Sequence, residues 1–264
     1  MTRVERSRSL DSGAEQASGK KEGMPVTATP LGPAVSMGTG RPQLTWDLVF
    51  EMSDVSGHVR RHLLRVYTTL GLMVLFAAIG VLLDLRWPVH PAITGLVIGL
   101  PLLFAIMCTP PARLAFRLTC AMLLATSMGA SIGNSVQHAL AIDPALIGLA
   151  FGCTTLIFVT MSLCAYFATH RASFFLYGFL SSALLPLIVL SVAADFIHSP
   201  FLVYVSLYAG LLLFSLFIIV DTQLMIERAI CGEDDFVWHA LDLFLDVINI
   251  FVRILAIFNV TNDD

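Results

Sequence analysis

The chain is poor in charge. Asp, Glu, Lys and Arg make up 13% of its 264 residues, where a soluble domain carries about 25%. With 57% hydrophobic residues and a mean hydropathy of +0.83, that shortage excludes a water-soluble domain and predicts a polytopic protein surrounded by membrane lipid. Cysteine is scarce and scattered. Cys108, Cys120, Cys153, Cys164 and Cys231 show no paired spacing, which argues against a disulfide framework or a cysteine metal site and leaves them as packing residues. No continuous apolar region follows the early arginines, so a cleaved signal peptide is not expected, and Glu5, Asp11 and Glu15 speak against a mitochondrial transit sequence. The first membrane helix is then left to do the targeting. Residues 1–42, rich in Ser, Gly, Pro and mixed charge, have almost nothing to bury; they are expected to form a disordered tail ahead of a transmembrane domain at 43–264. No nucleic-acid partner is expected.

What the chain has in abundance is long apolar runs separated by polar punctuation. Six are read as spans: Val66 to Leu85, Ala92 to Met107, Leu114 to Val136, Leu146 to Ala168, Phe174 to Phe196 and Phe201 to about Ile226. Most approach the roughly 20 residues that cross about 30 Å of hydrocarbon. Breaks fall at Pro88 and Pro91, Pro110 and Pro111, Asp143 and Pro144, "THRAS" and "HSP". Gly129 and Gly133, four apart in the third run, predict a close-packing face. A seventh segment, Val237 to Phe258, is long enough but carries Asp242, Asp246 and Arg253, each costing about 2.5 to 3.5 kcal/mol near a helix centre. It cannot face lipid on all sides. The expected fold is an all-α integral membrane bundle of seven helices, with this polar-striped last helix enclosed by the other six.

Lys and Arg set the orientation. Nine precede the first span (Arg3, Arg6, Arg8, Lys20, Lys21, Arg41, Arg60, Arg61, Arg65), and Arg113, Arg117, Arg171 and Arg228 lie on the same side, leaving Arg86 alone opposite. The N-terminus is therefore expected in the cytosol. The side of the C-terminus depends on whether the seventh segment crosses or re-enters.

The chemistry gathers at the end of the chain. In "HALDLFLDVINIF", Asp242 and Asp246 are one turn apart, and Asn249 and Arg253 continue the stripe. The sixth span adds a third acid, Asp221, in "FIIVDTQLMIE". If the two segments form an antiparallel hairpin about "CGEDD", the midpoint of positions 221 and 246 falls between Glu233 and Asp234, so Asp221 and Asp246 should be level. Asp242 is expected nearer the loop, forming a solvated mouth with His239 and Asp235, and the acidic turn itself is read as solvated. Asp246 has an alternative structural partner in Arg253. Two carboxyl groups close together in a low dielectric cannot both ionise cheaply, so they are expected to share a proton. Holding one proton they can bond to each other; holding none they repel, or capture a cation such as calcium, which prefers oxygen ligands.

The stretch "YAGLLLFSLFIIVDTQLMIERAICGEDDFVWHALDLFLDVINIFVRIL" resembles the signature region of the transmembrane Bax inhibitor motif family, in its Bax inhibitor-1 branch. "HLLRVYTTLGLMVLFAAIG" and "RASFFLYGFLSSALLPLIVLS" resemble that branch's first and fifth helices, so the likeness covers roughly His62 to Phe258. It implies a seven-helix fold with the last helix central and residence in the endoplasmic reticulum membrane. It also implies a pH-modulated passive calcium leak, and suppression of cell death alongside Bcl-2-family proteins. In that family the DTQ aspartate and the second aspartate of LFLD form the pH-sensing dyad, here Asp221 and Asp246, with Asp242, His239, Asn249 and Arg253 as secondary pore or mouth candidates. Calcium would be the permeant ion; no cofactor, fixed metal site or enzymatic activity is expected. Two departures stand out. The end "IFNVTNDD" lacks the Lys-rich tail of many relatives, and neither Arg113 nor Arg117 matches the basic residue that latches the dyad in some. The rival reading is an intramembrane aspartyl protease using the same two acids. That class needs glycines before its second aspartate, and this chain has Leu243, Phe244 and Leu245.

Overall fold

The computed structural model describes residues 57–167, 173–197, 199–233 and 235–262. The tail at 1–42, most of the "THRAS" break, His198, Asp234, and the positive charges before Arg60 together with Arg171 lie outside the described residues. All regular structure described is helical: α1 (Gly57–Arg86), a π-helical stretch (Ile93–Gly99) continuing into α2 (Leu100–Cys108), α3 (Leu114–Ser131), α4 (Gly133–Ile142), α5 (Ala145–Phe167), α6 (Ser173–Ile197), α7 (Pro200–Ile230) and α8 (Phe236–Asn262).

Local chemistry explains the boundaries. Thr109 and Asp143, each before a proline, are extended rather than helical (φ −93°, ψ 127° and φ −155°, ψ 120°), because the proline ring excludes the α region for the residue ahead of it. Asp143 then accepts the Ala145 N–H at 2.8 Å, restarting the chain as α5. Pro200 opens α7, where its missing N–H costs nothing. The turn between α7 and α8 contains Gly232 at φ 87°, a left-handed conformation that ends a helix cheaply only with glycine.

Among the described residues, six helices are long and apolar enough to cross a membrane: α1, α3, α5, α6, α7 and α8. This is a multi-pass membrane protein. The set differs from the six runs read as spans in three places, the first being that it takes in α8, the seventh segment. The second run, Ile93–Cys108, makes a shorter apolar helix, its 16 residues reaching only about 24 Å at 1.5 Å per residue. The third run is not continuous, since Ile132 (φ −96°, ψ −2°) separates α3 from α4.

Close helix contact is concentrated between α1 and α3. A Cβ on Gly80 would run into the backbone of Thr126 and Ala130, one on Gly129 into the backbone of Ala77, and one on Gly133 into the Asp84 side chain. The expected packing face of Gly129 and Gly133 is therefore present, with Gly80 its counterpart on α1. α8 packs directly against α1, α3, α4, α5 and α7. Its Leu241, Leu243, Phe244, Ile250 and Leu255 are fully buried, while Phe175, Leu185, Phe196 and Phe201 on α6 and α7 stand out from the bundle. Such an exterior suits hydrocarbon, and the helical backbone satisfies its own polar groups there.

Of the five cysteines, all free, Cys120 is buried and Cys153 half-buried; Cys108, Cys164 and Cys231 are exposed. The packing role holds for Cys120 and in part for Cys153. Of the exposed three, Cys164 lies on the outer surface of α5, where a small apolar thiol is as acceptable to lipid as to a core, Cys108 ends α2 and Cys231 lies in the turn between α7 and α8.

Candidate functional site: a stack of polar contacts along the last helix

Helix α8 meets its neighbours through a polar group at nearly every turn. At its start, Asp235 accepts the Trp238 N–H at 3.2 Å, an N-terminal cap, and the same Oδ1 lies 2.8 Å from Arg117 Nη1 of α3. Arg117 is almost wholly buried, and leaving such a charge unpaired would be strongly destabilising. The reading of Asp235 as part of a solvated turn is thus corrected: it both caps α8 and neutralises a buried guanidinium. Arg117 serves the helix start, and no contact joins it to Asp221 or Asp246.

One turn further, His239 packs edge-on against His62 of α1, ring centres 5.4 Å apart. Only 5% of His239 is exposed, so it does not belong to a solvated mouth; α1 covers that side of α8. Asp242 is half-buried, within the electrostatic reach of Asp221, Arg228 and Asp235.

Asp221 of α7 and Asp246 of α8 are near enough for each to feel the other's charge. Asp246 is 5% exposed, and its Oδ2 is buried with no hydrogen-bond partner. A hydrogen bond between two carboxyl groups requires one of them to carry a proton. Tyr67 of α1 packs edge-on against Phe158 of α5, ring centres 6.1 Å apart, and the hydroxyls of Ser162 on α5 and Thr222 beside Asp221 are buried without a hydrogen-bond partner. Tyr177 of α6 looks toward Asp221 and Asp242. The field of Arg228 reaches Asp221, Asp242 and His239, and its guanidinium lies 3.9 Å from Glu233.

Arg253 does not pair with Asp246. It donates from Nη1 to the Ser206 carbonyl at 2.8 Å, lies 5.4 Å from the Phe214 ring centre and occupies the space left by Gly210 on α7. Seven residues separate Arg253 from Asp246, about 10 Å along a helix, and the carbonyl and ring are nearer. Asn249 turns back to donate to the Leu245 carbonyl of its own helix at 2.7 Å. Near the far end, Asn259 donates to the Ser135 carbonyl of α4 at 3.1 Å.

Reading the sequence alone misses the Tyr67 cluster, the His62 contact and the Asn259 tie, because each needs the rotation of a second helix. The Asp235 cap did leave a local signal: an Asp immediately before the apolar "FVWHALDLFLD". Leu243 and Phe244, which precede the acid on α8, are fully buried, so the backbone there is covered by side chains rather than open to a peptide.

Comparison with known sequences gives consistent likenesses. The model of the family described as "Inhibitor of apoptosis-promoting Bax1" matches residues 59–263. Bax inhibitor 1 of Homo sapiens is 31% identical over 227 residues, covering 84% of this chain and 95% of that protein. Bax inhibitor 1 of Arabidopsis thaliana is 35% identical over 219 residues, 83% and 88% of the two chains. Probable Bax inhibitor 1 of Paralichthys olivaceus is 33% identical over 224 residues, 84% and 94%.

Proposed function

The chain belongs to the Bax inhibitor family, and from that premise we propose that it is a pH-sensitive calcium leak of the endoplasmic reticulum membrane that lowers lumenal calcium and suppresses apoptosis. What supports this reading most is that Asp246, buried on α8 with an unpartnered carboxyl oxygen, lies within the electrostatic reach of Asp221 on α7. Two acids at the centre of an apolar bundle are costly as scaffolding, whereas a shared proton gives them a task. Protonated, the pair bonds α7 to α8. Deprotonated, it favours separation, or an oxygen-seeking cation between the two helices. Asp242, half-buried two turns into α8, is the next oxygen ligand toward the α7–α8 turn.

The same proposal assigns seven membrane passes, with the short Ile93–Cys108 helix as the second, α3 and α4 together as the third and α8 as an enclosed seventh. The N-terminus is cytosolic and the turn between α7 and α8 lies on that side. Calcium is cargo rather than cofactor, the protein is not an enzyme, and Bcl-2-family proteins are its partners in apoptosis control.

The test is purified full-length protein in liposomes loaded with a calcium indicator. Calcium flux that requires the protein and changes with pH supports the leak. Liposomes that stay tight across the pH range, with cleavage of a co-reconstituted model helix, would instead support the protease that two aspartates on neighbouring helices also allow.

A further inference from the structure

Two turns beyond Asp246, the same side of α8 carries a cation. Seven residues make nearly two full turns of helix, so Arg253 projects from α8 in almost the direction of Asp246, about 10 Å further along. Opposite it, α7 offers Ser206, Gly210 and Phe214, spaced four apart and therefore in one stripe. Each supplies something different. The Ser206 carbonyl accepts from Arg253 Nη1 at 2.8 Å, and the Phe214 ring centre lies 5.4 Å from the guanidinium carbon. Gly210 supplies the room, since a Cβ there would run into the guanidinium.

This seat holds the charge without neutralising it. Arginine keeps its proton in proteins, and among the described residues no carboxylate forms an ion pair with Arg253. A carbonyl dipole and a ring face orient a guanidinium but leave its net charge in place. Arg253 Nε is buried with no hydrogen-bond partner, so water does not surround the group, and a charge in such surroundings acts more strongly on a passing ion than one in bulk water. Ionisable residues inside a membrane bundle mark ion pathways. Asp246 and Arg253, of opposite sign, stand in succession along the seam between α7 and α8.

We propose that Arg253 is a charge filter, a fixed positive group that a cation moving from Asp246 toward the C-terminal end of α8 has to pass. The inference rests on the calcium-leak reading above and adds to it what keeps the leak slow. Repulsion scales with the charge of the passing ion, so the factor by which Arg253 slows a monovalent cation is squared for a divalent one. The acids draw calcium in, and the guanidinium restrains its passage.

The experiment uses purified full-length protein in liposomes, with Ca2+ and K+ fluxes measured on the same preparation. The unaltered protein should pass K+ at least as fast as Ca2+. Arg253→Gln should raise K+ flux about threefold and Ca2+ flux about tenfold, whereas Arg253→Lys should keep the unaltered ratio. Lysine does not reproduce the planar contacts of a guanidinium, so its rescue reports charge rather than packing. Unchanged fluxes in Arg253→Gln, equal rises for both ions, or an Arg253→Lys ratio matching that of Arg253→Gln would overturn the filter and leave the leak standing. Because Arg253→Gln could fold poorly, the unaltered protein gives an independent readout: faster passage of Ca2+ than of K+ would also overturn the filter. If neither ion crosses with the unaltered protein or with any variant, the calcium-leak reading falls and takes the filter with it.

Discussion

Arg117 and Arg253 are both arginines inside a membrane bundle, and they are held by different means. Arg117 meets a carboxylate, whereas Arg253 meets a backbone carbonyl and the face of a phenylalanine. The first arrangement brings a full opposite charge, so breaking it from one side leaves a buried ion exposed to a low dielectric. Arg117→Met should therefore cost little by itself, because Asp235 keeps 30% of its side chain exposed and can be hydrated. Asp235→Ala should cost about 3 kcal/mol, since it strands the guanidinium and also removes the cap of α8. The double change Arg117→Met with Asp235→Asn removes the charges and keeps a capping side chain, and should recover most of that loss. Denaturation of the three variants in detergent checks the ordering; equal losses in both single variants would mean that the contact acts through something other than the stranded charge.

At the scale of helices, the account rests on where backbones touch. Gly80→Ala and Gly129→Ala place a methyl group against main-chain atoms that cannot swing aside, so each should destabilise the bundle by about 1–3 kcal/mol through overpacking. Gly148 and Gly152 have open space where a Cβ would go; alanine there should be neutral or stabilise α5 by about 0.5–1 kcal/mol through helix propensity. Thermal melts of the four variants separate a packing role from a general intolerance of substitution. A second expectation concerns α8. Asp246 is buried inside the bundle and Arg253 is held by the Ser206 carbonyl of α7, so residues 236–260 alone should fail to cross a membrane yet remain inserted in the full chain. A glycosylation-mapping assay reads both, and stable insertion of the isolated segment would remove the need for enclosure.

For the whole molecule, much of the plan is legible in one dimension. Apolar runs and the prolines between them mark out the helices because each boundary is a local matter: Pro110 makes Thr109 extended, and Pro144 does the same to Asp143. The depth of Asp221 against Asp246 can also be counted from the turn, since an antiparallel hairpin sets equal depth by equal distance. Rotation cannot be counted in that way. That is why His239 reads as solvent-facing yet packs on His62, why Arg253 reads as a partner for Asp246 yet reaches Ser206, and why Arg117 gains its role only when α3 lies beside the start of α8. The break at Ile132 is hidden for another reason, because the residues on both sides of it are equally apolar.

The central claim is that Asp221 and Asp246 act as one titrating unit that controls calcium passage, and pH-dependent flux in liposomes tests it most directly. Asp221→Asn and Asp246→Asn should each remove most of the pH dependence between about pH 5 and 8, while Asp242→Asn, which leaves the pair intact, should largely preserve it. The double variant should be no worse than the more affected single one, as for two residues in one contact. Additive losses from the two single variants, or a pH profile that follows Asp242 instead, would contradict the account.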